Sequence, residues 1–587
     1  MGIVAAIAAL LVSQSAPAGG TSLLGPDPMG ALALLGETAA GKMSSVSVSG
    51  QPFGSAIRIE TLRQVPNDWN FQIGAWSTAA VEEGDAVLAS FWVRAERGQP
   101  ETGEARAVFA LATNGPDWSS SIRQFISVGS AWRKFDIPFR IRYSRPAGQS
   151  IIAFSLGFPP QALELADFKI VNYGKTVAVE SLPRTRAEYA GQEPDAPWRK
   201  QAQARIEQIR KGNLAFVVQG PNGRPVPNAQ IAVRLTKHAF HFGTGVASDA
   251  LLRDDADSRK YREILKEHFN QVAIENHLKW PFWEEWARDD GLKSLAWLRA
   301  NKFPIRAHNL IWPGWSNLPS DLPKLANDKD ALRKRIRERF AEATAATKGM
   351  VDEWDVANET YSNNDLQRIL GRDELAEWFR LAKLGDPKPR LTLNDYPSLD
   401  IAGLKSDPHL RYFDEEIANL IRLKAPIEAI GFQCHFGSNV VPPERVLKAL
   451  DHFGRYKLPI VITEFDMDTQ DEELQARYMR DFMTAAFSHP TIAGITQWGF
   501  WETRHWMPNA ALWRKDWSIR PHGQVYLDLI HKEWATNSRG RTSRTGSWGS
   551  RAFFGTYEVT VTAPGSGTKT FTIDFPKASS KPTVLKL

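Results

Sequence analysis

The chain has one cysteine among its 587 residues, Cys434. This excludes an intrachain disulfide and a cysteine-rich metal site. Cys434 sits inside AIGFQCHF, an apolar setting that suits a buried structural thiol rather than a nucleophile. No hydrophobic run is long enough to span a bilayer. The most apolar stretch, MGIVAAIAALLVSQSAPAGG at the N-terminus, is short and has no Lys or Arg before it. Its SAPA segment resembles a signal-peptidase site, so residues 1–21 are read as an export-signal remnant. No Lys/Arg stripe accompanies the net charge of +6, which argues against a nucleic-acid partner. No glycine-rich phosphate loop follows a first strand, so a doubly wound nucleotide-binding sheet is disfavoured.

Aromatics, by contrast, are abundant: 21 Trp and 30 Phe. Residues 22–175 carry short apolar or alternating runs such as AVLASFWVRAE, ARAVFALAT and FKIVNYG, separated by Gly, Pro and Asp. That spacing predicts a β-sandwich. Trp69, Trp76, Trp92, Trp118 and Trp132 are scattered through it. Residues 176–239 read as a linker helix, KQAQARIEQIRKG, followed by a small β unit with a PNG turn. Residues 536–587 return to β character, and their hairpin-like segments are expected to complete that small unit.

Between them, residues 240–535 alternate strand and helix. Eight strand candidates occur in order: HFGTGV, QVAIENHLKW, IRAHNLIW, VDEWDVANE, RLTLNDY, AIGFQCHF, PIVITEFDM and GITQWGFW. Helical segments with apolar residues at three- and four-residue spacing lie between most of them. The predicted architecture is therefore multidomain: a (β/α)8 TIM barrel, with an N-terminal β-sandwich and small accessory β elements before and after the barrel. In such a barrel, strand C-termini form the mouth where chemistry occurs. Glu359 closes VDEWDVANE and Glu464 lies in PIVITEFDM, so two carboxylates are expected at the mouth. Paired carboxylates there point to glycoside hydrolysis, with one acting as proton donor and the other remaining ionised.

These segments resemble glycoside hydrolase family 10, the retaining endo-β-1,4-xylanases. WDVANE is similar to that family's acid/base strand and ITEFD to its nucleophile strand. ENHLKW, RAHNLIW, LNDY, GFQCHF and QWGFW fall in the expected order around them. The resemblance implies Glu359 as acid/base and Glu464 as nucleophile, with His435 bonding the nucleophile and Asp466 orienting His435. It implies sugar contacts from Glu275, Asn276, Lys279, His308, Trp312, Asn358 and Gln433, and a stacking wall from Trp498 and Trp506. Asn394 and Tyr396 are weaker candidates, on a strand expected to support the mouth. The implied partner is xylan or xylo-oligosaccharides, with no metal or cofactor in catalysis. The sandwich loosely resembles carbohydrate-binding modules. Calcium staples many such modules, but no ligand cluster for it stands out here. The expected state is a monomer that is secreted, periplasmic or attached to the outer surface, with no membrane partner.

The pattern departs from the family at several places. Pro313 stands where a second His is usual, Glu502 where an Asp is usual, and Leu278 and Pro281 replace a Met and an Asp. These departures keep two alternatives open: a non-catalytic xylan-binding protein, or a related retaining hydrolase acting on another β-glycan or on decorated xylo-oligosaccharides.

Overall fold

The computed structural model describes residues 16–99, 103–113, 119–185, 188–469, 471–563, 567–577 and 581–587. Most of the expected export segment, and Trp118, lie outside these residues. The chain divides into two compact units, Met1–Glu188 with Gly437–Asn439, and Tyr189–Phe436 with Val440–Leu587.

The first unit is built from two antiparallel sheets. One runs Gly41–Ser47, Ser55–Thr61, Gln161–Asn172, Ala86–Arg97, Arg133–Arg140, with Thr21–Ser22 added beside Gln161–Asn172. The other runs Ala33–Gly36, Phe71–Trp76, Ser150–Ser155, Ala105–Thr113, Ser120–Val128. Strand alternation explains the core. Val87, Ala89, Phe91 and Val93 all bury on one face of Ala86–Arg97. Phe91, Phe109, Phe154 and Phe168 meet there with ring centroids 5.0–6.1 Å apart. Trp69 is 53% exposed and Trp76 41%, at either end of Phe71–Trp76, whereas Trp92 and Trp132 pack around Phe53.

The second unit contains a closed parallel barrel of eight strands: β1 (His241–Val246), β2 (Gln271–Ile274), β3 (Ile305–Ile311), β4 (Glu353–Asn358), β5 (Arg390–Asp395), β6 (Ala429–Phe432), β7 (Ile460–Met467) and β8 (Ile492–Gln497). Each pairs with the next, β8 pairs with β1, and β6 pairs with β7 through Ile430↔Ile460, so no edge remains. The strands are buried almost throughout, which is why they read as near-continuous apolar runs. Aspartates start four of the surrounding helices. Asp255, Asp328, Asp407 and Asp471 each accept a first-turn backbone N–H, at 2.7–3.0 Å.

Two local features differ from the sequence reading. The helix Arg288–Ala300 between β2 and β3 was not anticipated. Its charged first turn and interior Gly291 blur the apolar period. AIGFQCHF is also not one continuous strand. β6 ends at Phe432, Cys434 takes the left-handed conformation (φ 65°), and a separate two-residue strand, His435–Phe436, pairs with β7.

The flanking β segments form two further sheets. Lys211–Gln219 pairs with Ser547–Phe553 and Thr583–Lys586. Gln230–His238 pairs with Asn537–Arg541 and with Gly555–Ala563, which continues into Gly567–Phe575. Thus the segments before and after the barrel share one core, centred on Phe216, Ile231, Tyr557 and Val559.

Candidate active site

Glu464 lies on β7 with only 4% of its surface exposed. Three neighbours hold its carboxylate. Asn394 at the end of β5 donates to Oε1 across 2.7 Å. His435 Nε2 lies 3.4 Å from Oε2, and His308 Nδ1 is 3.8 Å from Oε1. Burial alone would raise the Glu464 pKa. The pull of the His308 ring, the His435 contact and the Asn394 hydrogen bond outweigh it and hold the pKa down to about 2. His435 is shifted the other way. Burial disfavours its charge, but the Asp466 and Glu464 carboxylates prevail and push it up to about 10. An imidazolium donates from both nitrogens. Its Nδ1 meets Asp466 Oδ1 at 2.8 Å, and Asp466 Oδ2 accepts from the Trp506 indole N–H at 2.7 Å. The strand register sets His435 directly opposite Asp466.

Glu359 follows β4 by one residue in the left-handed conformation, φ 54°. Such a backbone costs a non-glycine residue on the order of 1 kcal/mol and clusters at functional positions. Its N–H donates to Asn394 O at 2.9 Å, and its carbonyl accepts from Asn363 N at 3.0 Å. The carboxylate accepts from Gln433 Nε2 (3.0 Å) and Asn358 Nδ2 (3.1 Å) at Oε1, and from Asn363 Nδ2 (3.2 Å) at Oε2. Asn358 Oδ1 in turn accepts from Asn394 Nδ2 at 2.8 Å. One chain of amides therefore connects the two glutamates.

Beneath them lies an ionic network in which Arg306, Asp355 and Glu353 are buried and Arg390 is partly exposed. Arg306 on β3 pairs with Asp355 and, at 3.3 Å, with Glu353, both on β4. Glu353 also accepts from Thr392 (2.7 Å) and pairs with Arg390. Asp355 accepts from His308 Nδ1 at 2.9 Å, which fixes the ring beside Glu464. Two cations balance two carboxylates, so the network positions groups without leaving an uncompensated charge. Among the described residues, His308, Asp355 and Glu464 place potential metal-ligand atoms within 4.8 Å of one another. The donor set does not fit a metal: His308 Nδ1 is committed to Asp355, whose other oxygen holds Arg306.

Residues 233–524 match the family model for glycosyl hydrolase family 10. The barrel belongs to that family. The chain is 33% identical over 391 residues to anti-sigma-I factor RsgI6 of Acetivibrio thermocellus, covering 65% of this chain and 49% of that protein. It is 28% identical over 392 residues to endo-1,4-beta-xylanase 1 of Arabidopsis thaliana, covering 66% and 40% respectively. The chain thus spans half or less of the length of these two relatives. It is also similar to xylanase 10B from Thermotoga petrophila RKU-1, solved in complex with xylobiose, at 22% identity and a TM-score of 0.46 over 50% of this chain and 95% of that one.

In this family 10 barrel, the remaining sequence candidates cluster around the same mouth. Lys279 Nζ donates to Asn276 Oδ1 at 2.9 Å and sits 5.3 Å from the centre of the Trp312 ring. Burial lowers the Lys279 pKa, against the pull of Glu275, Glu464 and Glu359. Burial raises that of Glu275, against Lys279. The two tryptophans expected to form one stacking wall differ. Trp506 is 40% exposed, whereas Trp498 is 6% exposed and packs edge-on against His308 at 5.2 Å. Trp498 therefore shapes the wall from behind, while Trp506 offers surface and braces Asp466. Pro313 is buried and its carbonyl accepts from Leu366 N at 3.2 Å. Asn363, Asp355 and Arg306 were not singled out from sequence. The one signal was Arg306 itself, a charge inside the apolar run IRAHNLI.

Proposed function

We propose that this chain is an endo-β-1,4-xylanase acting by retaining double displacement. The observation that carries the reading is a pair of carboxylates at the barrel mouth joined by one amide chain. Glu464 is held ionised by His308, His435 and Asn394, and Glu359 accepts from Gln433, Asn358 and Asn363. Glu464 attacks the anomeric carbon as the glycosidic C–O bond breaks, and Glu359 gives its proton to the departing oxygen. A glycosyl-enzyme ester results. Glu359, now a carboxylate, takes a proton from water, whose oxygen displaces Glu464 and restores the original configuration. Asn358, between Glu359 and Asn394, is the proposed partner of the sugar 2-hydroxyl. The test is reducing-end release from xylan together with the configuration of the first product. The expected result is a β-anomer first and loss of release in both Glu359→Gln and Glu464→Gln. An α-anomer first, or release untouched by both changes, overturns the mechanism.

The sandwich is proposed to tether the same polymer through Trp69 and Trp76, whose exposed indoles can stack on sugar faces. Tethering raises the local substrate concentration and suits a long, insoluble chain. Depletion of the inactive Glu464→Gln protein by insoluble xylan should fall when Trp69 and Trp76 are both changed to Ala. A polymer too large to be imported also motivates the proposed placement outside the cytoplasm.

A further inference from the structure

The other end of the barrel holds a cavity of about 550 Å3, a volume within the range of small-ligand sites. Phe242, Phe269 and Phe303 line it from the N-terminal ends of β1, β2 and β3. Catalysis in a barrel of this kind occurs at the C-terminal strand ends, so the cavity is separate from the paired glutamates. The flanking strand Gln230–His238 supplies the facing wall, and Ile530 and His531 of the last helix close one side. A β-bulge between Leu235 and Lys237 breaks the strict alternation of that strand, and Lys237 and His238 both line the cavity.

The charge around this cavity is one-sided. Arg234, Lys237, Lys266 and Lys302 line it, against one carboxylate, Glu267. Arg234 is paired with Glu558 at 3.0 Å, but the three lysines make no ion pair among the described residues. Two helices, Ala256–His268 and Arg288–Ala300, end here, and their carbonyl ends favour nearby cations. That accounts for Lys266 and Lys302. It does not account for Lys237, which the flanking strand brings in. Burial lowers the Lys237 pKa, and no carboxylate offsets the effect. Beside it, the His238 ring packs edge-on against Phe242 at 5.2 Å, and its buried Nε2 has no hydrogen-bond partner among the described residues. His268 Nδ1 and His531 Nε2 share a hydrogen bond of 2.9 Å. Burial holds both rings below the ordinary imidazole range, so the pair is neutral at pH 7. Whichever ring donates, the pair keeps one further N–H for another partner.

We propose that this cavity is a binding site for a small molecule that carries an oxyanion, a carboxylate or a phosphate, on an apolar body. Lys237 and Lys302 supply the charge, and the three phenylalanines pack the body. The inference does not depend on the xylanase reading, because none of these residues belongs to the barrel mouth. Both lysines are exposed to solvent, so salt should weaken the attraction.

The experiment measures Kd by isothermal titration calorimetry for phenyl phosphate and benzoate, with benzyl alcohol as the uncharged comparator. The proteins are the full chain, Lys237→Gln, Lys302→Gln and the double variant, each checked for folding by circular dichroism and by Tm without probe. At least one charged probe should bind the wild type about 10-fold or more tightly than benzyl alcohol, and more weakly as salt is added. The tighter of the two charged probes identifies the oxyanion. Its Kd should rise about 10-fold in the double variant, with part of that loss in each single one, while that of benzyl alcohol stays in place. Charged probes that bind no more tightly than benzyl alcohol, or not at all, overturn the site. So does an affinity unmoved in the double variant, since the probe would then lie elsewhere on the molecule.

Discussion

Asn394 donates to Glu464 Oε1 across 2.7 Å, and the same amide nitrogen donates to Asn358 Oδ1 at 2.8 Å. Its own carbonyl oxygen accepts from Thr463 Oγ1 at 2.7 Å, which fixes the amide orientation. Among the described residues, Asn394 is thus the side chain bonded both to Glu464 and to the Asn358 amide that holds Glu359.

Replacing it should separate the two halves of the site. A hydrogen bond to a charged group contributes roughly 1.5–3 kcal/mol. Asn394→Ala is therefore expected to lower kcat on xylan about 10- to 100-fold. Steady-state kinetics with matched circular dichroism checks this. A kcat within twofold of wild type would remove Asn394 from the machinery.

Gly431 on β6 makes that geometry available. A Cβ at this position would lie 2.6 Å from Asn394 Oδ1 and 2.9 Å from Thr463 Cγ2. Both distances are below normal contact, so Gly431→Ala must push the Asn394 amide away from Glu464. The expected result is a kcat loss similar to that of Asn394→Ala, and no further loss in the double variant, because both act on one contact. Additive losses would show that Gly431 matters for some other reason.

How much of this was legible in the sequence depended on the range of the interaction. The eight strands were legible because parallel, doubly buried strands write themselves as continuous apolar runs. Glu359 and Glu464 were legible because each closes or interrupts such a run with a charge. Asn394 was undervalued, since its importance depends on the missing side chain of Gly431 on the next strand, a relation no local pattern encodes. Gln433 and His435 stand two residues apart, a spacing that would put both on one face of a continuous strand. In the structure, the left-handed turn at Cys434 comes between them, and Gln433 serves Glu359 while His435 serves Glu464. Trp498 and Trp506 looked equivalent as aromatics near the last strand. Only the fold distinguishes the buried ring packed on His308 from the exposed one bonded to Asp466.

The opposite shifts of Glu464 and His435 give a pH prediction with a definite sign. Glu464 is lowered to about 2, so its contribution to stability is present above its unfolded pKa of about 4.3 and is lost as pH falls towards 2. His435 is raised to about 10, so its contribution is complete below about 6.5 and is lost as pH rises through 10. In His435→Gln Glu464 loses a cationic neighbour, and its pKa should rise. The acidic limb of kcat/KM should then move to higher pH, and the decline in Tm from pH 7 to 10 should become shallower. Profiles superimposable on wild type at both ends would mean that His435 does not carry the charge assigned to it.

The division of labour between the glutamates can be separated by the choice of leaving group. Xylan departs as a poorly stabilised alkoxide and needs the Glu359 proton, whereas a nitrophenyl xylobioside departs as a stable phenolate and does not. General acid catalysis typically contributes about 10²–10⁴-fold, so Glu359→Ala should lose that much on xylan. On the aryl substrate the first step is spared, but the second still lacks its base. The expected trace is a rapid burst of about one equivalent of phenolate followed by slow turnover, as the glycosyl-enzyme accumulates. Glu464→Ala, which has no atom to form that ester, should show neither burst nor turnover on either substrate. Equal losses on both substrates with no burst in Glu359→Ala would remove the acid/base role from Glu359, because a residue needed only for folding or binding would not distinguish one leaving group from the other.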